Sequence, residues 1–304
     1  MKVCVTGGAG FIGSHVVEIL KENGHDVFVI DDLSTGNQSN ISDDVTLYET
    51  SILSPELSVI FKREKPEVIV HHAAQINVRN SVTDPLNDGN INVLGSINLI
   101  ENAVKANVKK IVYASSGGAV YGNPQKIPCD ETHSIAPTSP YGTSKFTVEK
   151  YLETFRQMSG LGYTILRYAN VYGPRQDPKG EAGVIAVFYD KLKQNETPLI
   201  FGEGTQTRDY VYVKDVAQAN LLAVEKPALN TYFNIGSGVQ TNLLEMVELM
   251  RDATGKKIEP KHIDPVIGDV EHIALDCQKA KDKLGWGVSV SLKDGLKKTW
   301  DTYK

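Results

Sequence analysis

The sequence has few cysteines, no long apolar segment and no excess of basic residues. Its 304 residues include three cysteines, Cys4, Cys129 and Cys277, an odd and widely spaced set that is typical of reduced thiols in a cytoplasmic protein. Apolar runs such as 186–189 are far shorter than the roughly 18 residues that a membrane span requires. Because the net charge is −5, we expect neither a nucleic-acid nor a membrane partner.

Short β-branched runs alternate with helical patterns over the first half of the chain. Helices are predicted near 55–64, 86–106 and 140–159. Strands are predicted at 2–6, 26–31, 45–49, 67–74, 107–116 and 163–168. Strands that are apolar on both faces and alternate with helices indicate a doubly wound parallel α/β sheet.

The regular alternation of strands and helices ends after residue 168. A stretch rich in glycine and proline follows at 170–183, and helices are predicted at 182–195, 214–226, 241–254 and 292–303. One more buried strand near 230–236 is expected to return to the sheet. We therefore predict a dinucleotide-binding domain at 1–168 and a smaller, interleaved substrate-binding region at 169–304.

A glycine-rich turn separates the first strand from the first helix. Gly7, Gly10 and Gly13 form a G-x-x-G-x-x-G pattern, which suits a tight turn, the close approach of a pyrophosphate and close packing of helix on strand. The second strand ends in Asp31, and a carboxylate there accepts hydrogen bonds from ribose hydroxyls. No arginine or lysine adjoins Asp31, so the pattern predicts NAD rather than NADP.

Tyr141 and Lys145 form a Y-x-x-x-K pair on a predicted helix, where a spacing of four places them on one face. A nearby ammonium favours the phenolate, so Tyr141 is a candidate general base. The pattern also occurs at Tyr189/Lys193 and Tyr210/Lys214. Only Tyr141/Lys145 follows the predicted fifth strand, and chemistry in such sheets lies at the carboxyl ends of strands.

These segments together resemble the extended short-chain dehydrogenase/reductases that act on nucleotide sugars, in particular the epimerases. The resemblance covers nearly the whole chain in order. It rests on the glycine turn, Asp31, HHAA (71–74), YASSGGAVYG (113–122), SPYGTSK (139–145), LRYANVYGPR (166–175), FGEGTQTRDYVYVKDVA (201–217) and FNIGSG (233–238). It implies a Rossmann domain with bound NAD, and a homodimer built from the helices near 86–106 and 140–159.

The resemblance also implies the site residues. For the cofactor they are Gly7, Gly10, Phe11, Ile12, Gly13, Asp31, Asp32, Ser34, Thr35, Gly36, Asn37, Ser51, Ile52, Ala73, Ala74, Gln75, Asn92, Ser115, Tyr141, Lys145 and Tyr168. For the UDP-hexose substrate they are Asn170, Val184, Leu199, Phe201, Arg208 and Asp269. The arginine fits a diphosphate because a guanidinium is a forked donor, although a salt bridge to Asp209 is the plainer interpretation.

The implied reaction is NAD-dependent 4-epimerisation of UDP-glucose and UDP-galactose, with Tyr141 as the base. The family usually has Ser or Thr where this chain has Gly117, so Ser116 or a water is expected to assist Tyr141. Gly118 and Ala119 follow without a carboxylate, which argues against dehydration or decarboxylation.

Two further departures from the family pattern concern the affinity for NAD and for the substrate diphosphate. Ser51 replaces an Asp that often contacts adenine, and Val266 replaces an Arg that usually contacts the diphosphate.

Two alternative functions stay open. They are a 4-epimerase for UDP-N-acetylhexosamine or UDP-uronate, and a catalytically silent NAD-sensing protein. The adjacent His71 and His72 have no third ligand at suitable spacing, so we predict packing roles and no metal site.

Overall fold

Seven parallel strands form the central sheet of the computed structural model, which describes residues 1–179, 183–264 and 270–303. In chain order the sheet strands are β1 (Lys2–Thr6), β2 (Asp26–Asp31), β3 (Thr46–Glu49), β4 (Val68–His71), β5 (Lys110–Ser116), β6 (Gly162–Tyr168) and β11 (Tyr232–Ile235). They lie in the order β11-β6-β5-β4-β1-β2-β3. The chain order reverses between β1 and β4, and ligands of such sheets bind beyond the carboxyl ends at that point.

Helices cover both faces of the sheet, as predicted. They are α1 (Phe11–Glu22), α2 (Leu57–Glu64), α3 (Val78–Thr83), α4 (Pro85–Gly89), α5 (Ser96–Lys105), α6 (Gly117–Val120), α7 (Pro140–Ser159), α8 (Val184–Lys193), α9 (Val213–Glu225), α10 (Leu243–Thr254) and α11 (Leu292–Asp301). Among the described residues, no helix has both the length and the apolar character needed to cross a bilayer.

Alternation along the strands divides the core into two layers. Val3 and Val5 of β1 pack in the layer that includes α1 and α9. Cys4 of β1 and Ile111 of β5 pack in the opposite layer with α2, α5 and α7. Burial on both faces explains why these strands are continuously apolar in sequence.

Residues 90–95 interrupt the helix that was predicted over 86–106. The chain is α-helical in α4, widens into a π-helix over Asn90–Gly95 and becomes α-helical again in α5. The side chain of Asn92 bonds both the backbone N–H and the backbone C=O of Gln75, at 2.8 Å each. Such wide turns frequently mark functional sites, and this one adjoins the loop after β4.

The later part of the chain contributes to both the sheet and a smaller layer. Strand β11 pairs with β6, as expected for the segment near 230–236. Short strand pairs lie outside the sheet: β7 (Asn170–Tyr172) with β10 (Tyr210–Tyr212), β9 (Thr207–Arg208) with β12 (Thr241–Asn242), and β8 (Leu199–Phe201) with β13 (Lys261–Ile263). Sequence reasoning missed β7 because three residues at the start of the Gly/Pro-rich stretch carry no alternation signal.

Candidate functional site

The glycine turn after β1 is closed so tightly that side chains do not fit. Gly7 has φ +68°, and a Cβ there would lie 2.6 Å from the backbone N of Ala73. A Cβ at Gly13 would lie 2.0 Å from the carbonyl O of Gly7. Within the described ranges, no side chain caps the N-terminus of α1, and its first turn carries no acidic residue. The backbone N–H groups in the first turn of α1 therefore have no side-chain partner at the cap. Together with the glycine backbone, which carries no side chains, they fit the pyrophosphate of a dinucleotide.

Asp31 lies at the carboxyl end of β2 and orders the neighbouring turn. It is 7% exposed, and its Oδ2 accepts from the N–H of Ala9 while Oδ1 accepts from the N–H of Leu33, each at 2.9 Å. Burial raises the pKa of the Asp31 carboxyl above its ordinary value, and the two backbone N–H bonds oppose that rise.

The predicted Ser34–Asn37 loop folds back onto the glycine turn. The N–H of Asn37 donates to the carbonyl of Ala9 at 3.0 Å, and a Cβ at Gly36 would lie 2.7 Å from Oδ1 of Asp31. Asp32 is exposed and accepts from both the N–H and the hydroxyl of Ser34. The structure thus brings this loop, Asp31 and the glycine turn together.

The predicted residues after β3 and β4 fall on two segments near this edge. Ser51 accepts from the N–H of Leu53 at 3.2 Å, and Ile52 is buried against Gly95. Ala73 donates its N–H to the Thr6 hydroxyl at 3.3 Å. Through Ala73, the loop after β4 contacts both the last residue of β1 and the glycine turn.

Tyr141 and Lys145 meet on the buried face of α7. Ser139 caps this helix by accepting from the N–H of Gly142 at 3.2 Å. Tyr141 is 7% exposed and Lys145 4% exposed, and the Lys145 Nζ lies 5.8 Å from the centroid of the Tyr141 ring. Lys145 also donates to the carbonyl of Ala114 in β5 at 2.9 Å, which fixes the ammonium at the carboxyl end of the sheet.

The other two Y-x-x-x-K pairs lie elsewhere. Tyr210 ends up in β10 and Lys214 in α9, on either side of the predicted junction. Tyr189 lies on α8, buried in the smaller layer, with its hydroxyl donating to the carbonyl of Leu296 at 2.9 Å. Neither pair is part of the sheet edge that carries Tyr141.

Ser115 and Ser116 end β5 in different surroundings. Ser115 is 3% exposed, and its hydroxyl donates to Glu149 Oε1 at 2.6 Å, within a buried network. Glu149 forms a bidentate pair with Arg167 at 3.0 and 2.6 Å. Ser116 is half-buried and precedes Gly117, the first residue of α6. The side chain of Ser115, a predicted cofactor residue, is therefore bound to Glu149.

The histidine pair is divided between the two faces of the sheet. His71 bonds Thr6 at 2.8 Å and Ser96 at 2.9 Å, whereas His72 bonds the Tyr168 hydroxyl at 3.2 Å. Burial, and secondarily the Lys145 charge, lowers the pKa of His72 to about 3. No group of three potential metal ligands occurs within the ranges that the structure describes.

The substrate residues implied by the resemblance that the structure describes, Asn170, Val184, Leu199, Phe201 and Arg208, lie in the smaller layer. Arg208 in β9 donates to the carbonyl of Thr207 at 2.9 Å and forms no ion pair within the described parts of the chain. Leu199 is 44% and Phe201 39% exposed. Asp269 and Val266 lie outside the described residues.

Two of these residues have contacts that link the layers. The Asn170 amide oxygen would lie 3.9 Å from a Cβ at Gly118, and the guanidinium of Arg79 lies 5.8 Å from the Phe201 ring centroid. The buried Asp209 carboxylate accepts from Ser237, Gly238 and Leu275, so it is not an ion-pair partner of Arg208.

Sequence reasoning missed three buried side chains that brace this edge. Ser81 accepts from the N–H of Tyr141 at 3.2 Å, Ser144 donates to Asp88 at 2.6 Å, and Asn220 bonds the Tyr168 hydroxyl at 2.8 Å. All three are polar residues within helical patterns. Only the contact with a distant element distinguishes them from surface residues, and no sequence signal shows it.

Comparison with known proteins places this site in a family. Residues 3–236 match the model of the NAD dependent epimerase/dehydratase family. The chain is 42% identical to the UDP-glucose 4-epimerase of Mycolicibacterium smegmatis over 309 residues, which cover 100% of this chain and 99% of that protein.

Solved structures agree with the fold over its full length. The structure of UDP-glucose 4-epimerase with UDP-glucose from Thermotoga maritima is 49% identical, with a TM-score of 0.97 over 100% of this chain and 98% of that chain. The UDP-glucose 4-epimerase of Thermus thermophilus, in complex with NAD, is 39% identical, with a TM-score of 0.94 over 100% and 99% of the two chains.

Proposed function

Because the chain belongs to the NAD dependent epimerase/dehydratase family, we propose that it interconverts UDP-glucose and UDP-galactose by epimerisation at C4. The observation that carries the proposal is the buried Tyr141–Lys145 pair, anchored to β5 at the carboxyl edge of the sheet. The relatives described above are UDP-glucose 4-epimerases, one solved with UDP-glucose and one with NAD. The alternative of a silent NAD-sensing protein is weaker because the pair is intact.

The residues that would hold NAD are those of the glycine turn and its surroundings. The uncapped N-terminus of α1 would hold the pyrophosphate, Asp31 would accept from the adenosine ribose, and the loop after β4 would hold the nicotinamide half. When bound, NAD supplies the hydride acceptor and donor at C4 of the sugar. Asp31 also disfavours a 2′-phosphate electrostatically, which supports NAD as the cofactor.

Tyr141 is the residue that moves the proton. Its phenolate would take the proton of the sugar 4-hydroxyl during oxidation at C4 and would return that proton during the reduction that follows. The Lys145 ammonium stabilises the phenolate, and its bond to the Ala114 carbonyl keeps it in place. Turnover consumes no net cofactor, so no added NAD is needed if the protein retains it.

Arg208 is the proposed contact for the UDP diphosphate. The guanidinium retains further donors beside the bonds of its Nη1 to the carbonyls of Thr207 and Glu271, and an Arg is absent at Val266, where the family usually has one. Asn170, Val184, Leu199 and Phe201 are the other proposed substrate contacts. We expect Arg208→Lys to raise the KM for UDP-galactose at least about tenfold with a smaller change in kcat, since a bidentate contact is lost.

The test is turnover of individual UDP-sugars without added NAD. Tyr141→Phe should abolish most activity while NAD binding survives. Tyr189→Phe is a matched control because it removes an equally buried tyrosine hydroxyl from another Y-x-x-x-K pair. Near-wild-type turnover of Tyr141→Phe would contradict the proposed base. Preferential turnover of UDP-N-acetylhexosamines or UDP-uronates would contradict the proposed sugar.

We also infer a cytoplasmic homodimer. Support for the dimer comes from exposed apolar side chains on the helices of the proposed interface and on the neighbouring α3: Val82 (62%), Leu86 (85%), Leu94 (56%) and Met158 (74%). The three free cysteines fit a reducing compartment. Light scattering of the wild type against Leu86→Glu/Leu94→Glu tests the dimer, which fails as a proposal if the wild type is monomeric at micromolar concentration.

A further inference from the structure

Asp88 is a buried carboxylate that no step of the proposed reaction uses. It lies on α4 and is 1% exposed. Its Oδ1 accepts from Gln75 Nε2 and from Asn92 Nδ2, both at 2.9 Å, and its Oδ2 accepts from the Ser144 hydroxyl at 2.6 Å. A buried carboxylate is costly unless such donors compensate it, so its presence here calls for a reason.

The three donors come from three different segments around the site. Gln75 lies in the loop after β4, which closes on the glycine turn. Asn92 lies in the π-helix, and Ser144 lies on α7 between Tyr141 and Lys145. Asp88 therefore joins the catalytic helix to the cofactor loop through side chains alone.

Ser144 connects Asp88 to the part of α7 that carries Tyr141 and Lys145. It is 6% exposed and adjoins Lys145, and its bond to Asp88 connects the start of α7 to α4. A small rotation would move the Lys145 ammonium and the Tyr141 phenol together relative to the loop after β4. Misplacements of about 1 Å can cost 10²-fold in rate.

We propose that Asp88 is a positioning residue that holds Tyr141 and Lys145 in register with the cofactor through Ser144. The inference rests on the proposed function, because it assigns a role toward the same catalytic pair. Asp88 does not touch the reacting atoms. Its effect is on where the phenol and the ammonium lie, and hence on how well the ammonium stabilises the phenolate.

The decisive variant is Ser144→Ala, which breaks only the bond between Asp88 and α7 and leaves Asp88 two donors. We expect kcat to fall at least about tenfold while the KM for UDP-galactose and the bound NAD stay unchanged. We also expect the ascending limb of kcat against pH to move to higher pH, because a displaced Lys145 stabilises the Tyr141 phenolate less.

A second pair of variants tests Asp88 itself. Asp88→Leu removes all three bonds at similar volume and should lose about 10²-fold in kcat. Asp88→Asn should retain more activity, since its amide can accept from one side and donate to Ser144. If Asp88→Leu fails to fold, Ser144→Ala still decides the question.

Two controls separate positioning from stability. Thr143→Ala removes an exposed hydroxyl of the neighbouring residue on α7, which donates to the Ser139 carbonyl at 3.1 Å. Asp215→Asn alters another buried carboxylate, 3% exposed, which accepts from Ser289 and Val290 in the smaller layer. Both should keep the wild-type kcat and pH profile, whatever they do to the melting temperature.

The outcomes distinguish this inference from the proposed function. Wild-type kcat and pH profile in Ser144→Ala, in a protein whose Tyr141→Phe variant is inactive, would overturn the positioning role alone. Absence of turnover by the wild type on every UDP-sugar would overturn the proposed function and this inference with it. A lowered kcat and a shifted pH limb, with unchanged NAD content, would support the inference.

Discussion

Leu275 fills the space that a side chain at Gly117 would occupy. A Cβ at position 117 would lie 2.6 Å from Cδ1 and 3.0 Å from Cδ2 of Leu275. Leu275 is fully buried, packs with Val120 and Tyr121, and its N–H donates to Asp209 at 3.1 Å. The glycine at this position, where the resemblance implies a hydroxyl side chain, is therefore matched by a large residue from a distant segment.

Gly117→Ser alone should lower both stability and kcat, because the new Cβ overlaps a leucine that cannot easily move. Leu275→Ala alone should cost about 2–5 kcal/mol through cavity formation. In the double variant Gly117→Ser/Leu275→Ala the serine has room, so we expect a favourable coupling of at least about 1 kcal/mol. Urea unfolding of all four proteins measures it, and additive effects would contradict the steric relationship.

Asp31→Ala should weaken NAD binding at least about tenfold and reduce the discrimination against NADP, since the carboxylate that repels a 2′-phosphate is gone. Two backbone N–H groups, of Ala9 and Leu33, also lose their acceptor. Equilibrium titration with both cofactors measures the effect. Asp43→Ala, which removes an exposed carboxylate, is the control. Unchanged NAD/NADP selectivity would argue against the electrostatic role of Asp31.

The Glu149–Arg167 pair should behave as a buried ion pair. Both side chains are at most 2% exposed, and Arg167 also donates to the Tyr121 hydroxyl at 2.9 Å. Arg167→Met should lower the free energy of unfolding by about 3–5 kcal/mol, because Glu149 is left charged and buried. Arg167→Met/Glu149→Leu should regain much of that loss. A double variant less stable than Arg167→Met would contradict this reasoning.

His72 should contribute to acid unfolding. Its folded pKa of about 3 lies below the ordinary value of 6.5, so between those pH values the unfolded chain binds a proton that the folded chain does not. Stability therefore falls as pH drops through this window, by about 1.4 kcal/mol per pH unit for one proton.

His72→Gln removes this proton while keeping a polar partner for Tyr168. The slope of the unfolding free energy against pH between about 4 and 6 should be smaller in the variant by about 1.4 kcal/mol per pH unit. His71, whose pKa burial also lowers, keeps its own contribution in both proteins. Equal slopes would show that His72 is protonated in the folded state.

Much of the sheet could be predicted from sequence because its strands are buried on both faces. The predictions at 2–6 and 26–31 match β1 and β2, and 140–159 matches α7. The helical prediction over 86–106 is also confirmed, and residues 90–95 within it form a π-helix between α4 and α5. Periodicity does not reveal this wide turn, and the bonds of Asn92 to the loop after β4 join residues that are 17 positions apart in the chain.

The sequence by itself determined the glycine turn, Asp31 and the spacing of Tyr141 and Lys145, because local sterics and helical periodicity govern these features. Tertiary structure alone decided which polar residues brace α7, how Leu275 meets Gly117 and where Ser115 donates its hydroxyl. Those contacts join residues far apart in the chain, and their energy arises only when folding removes water from both partners.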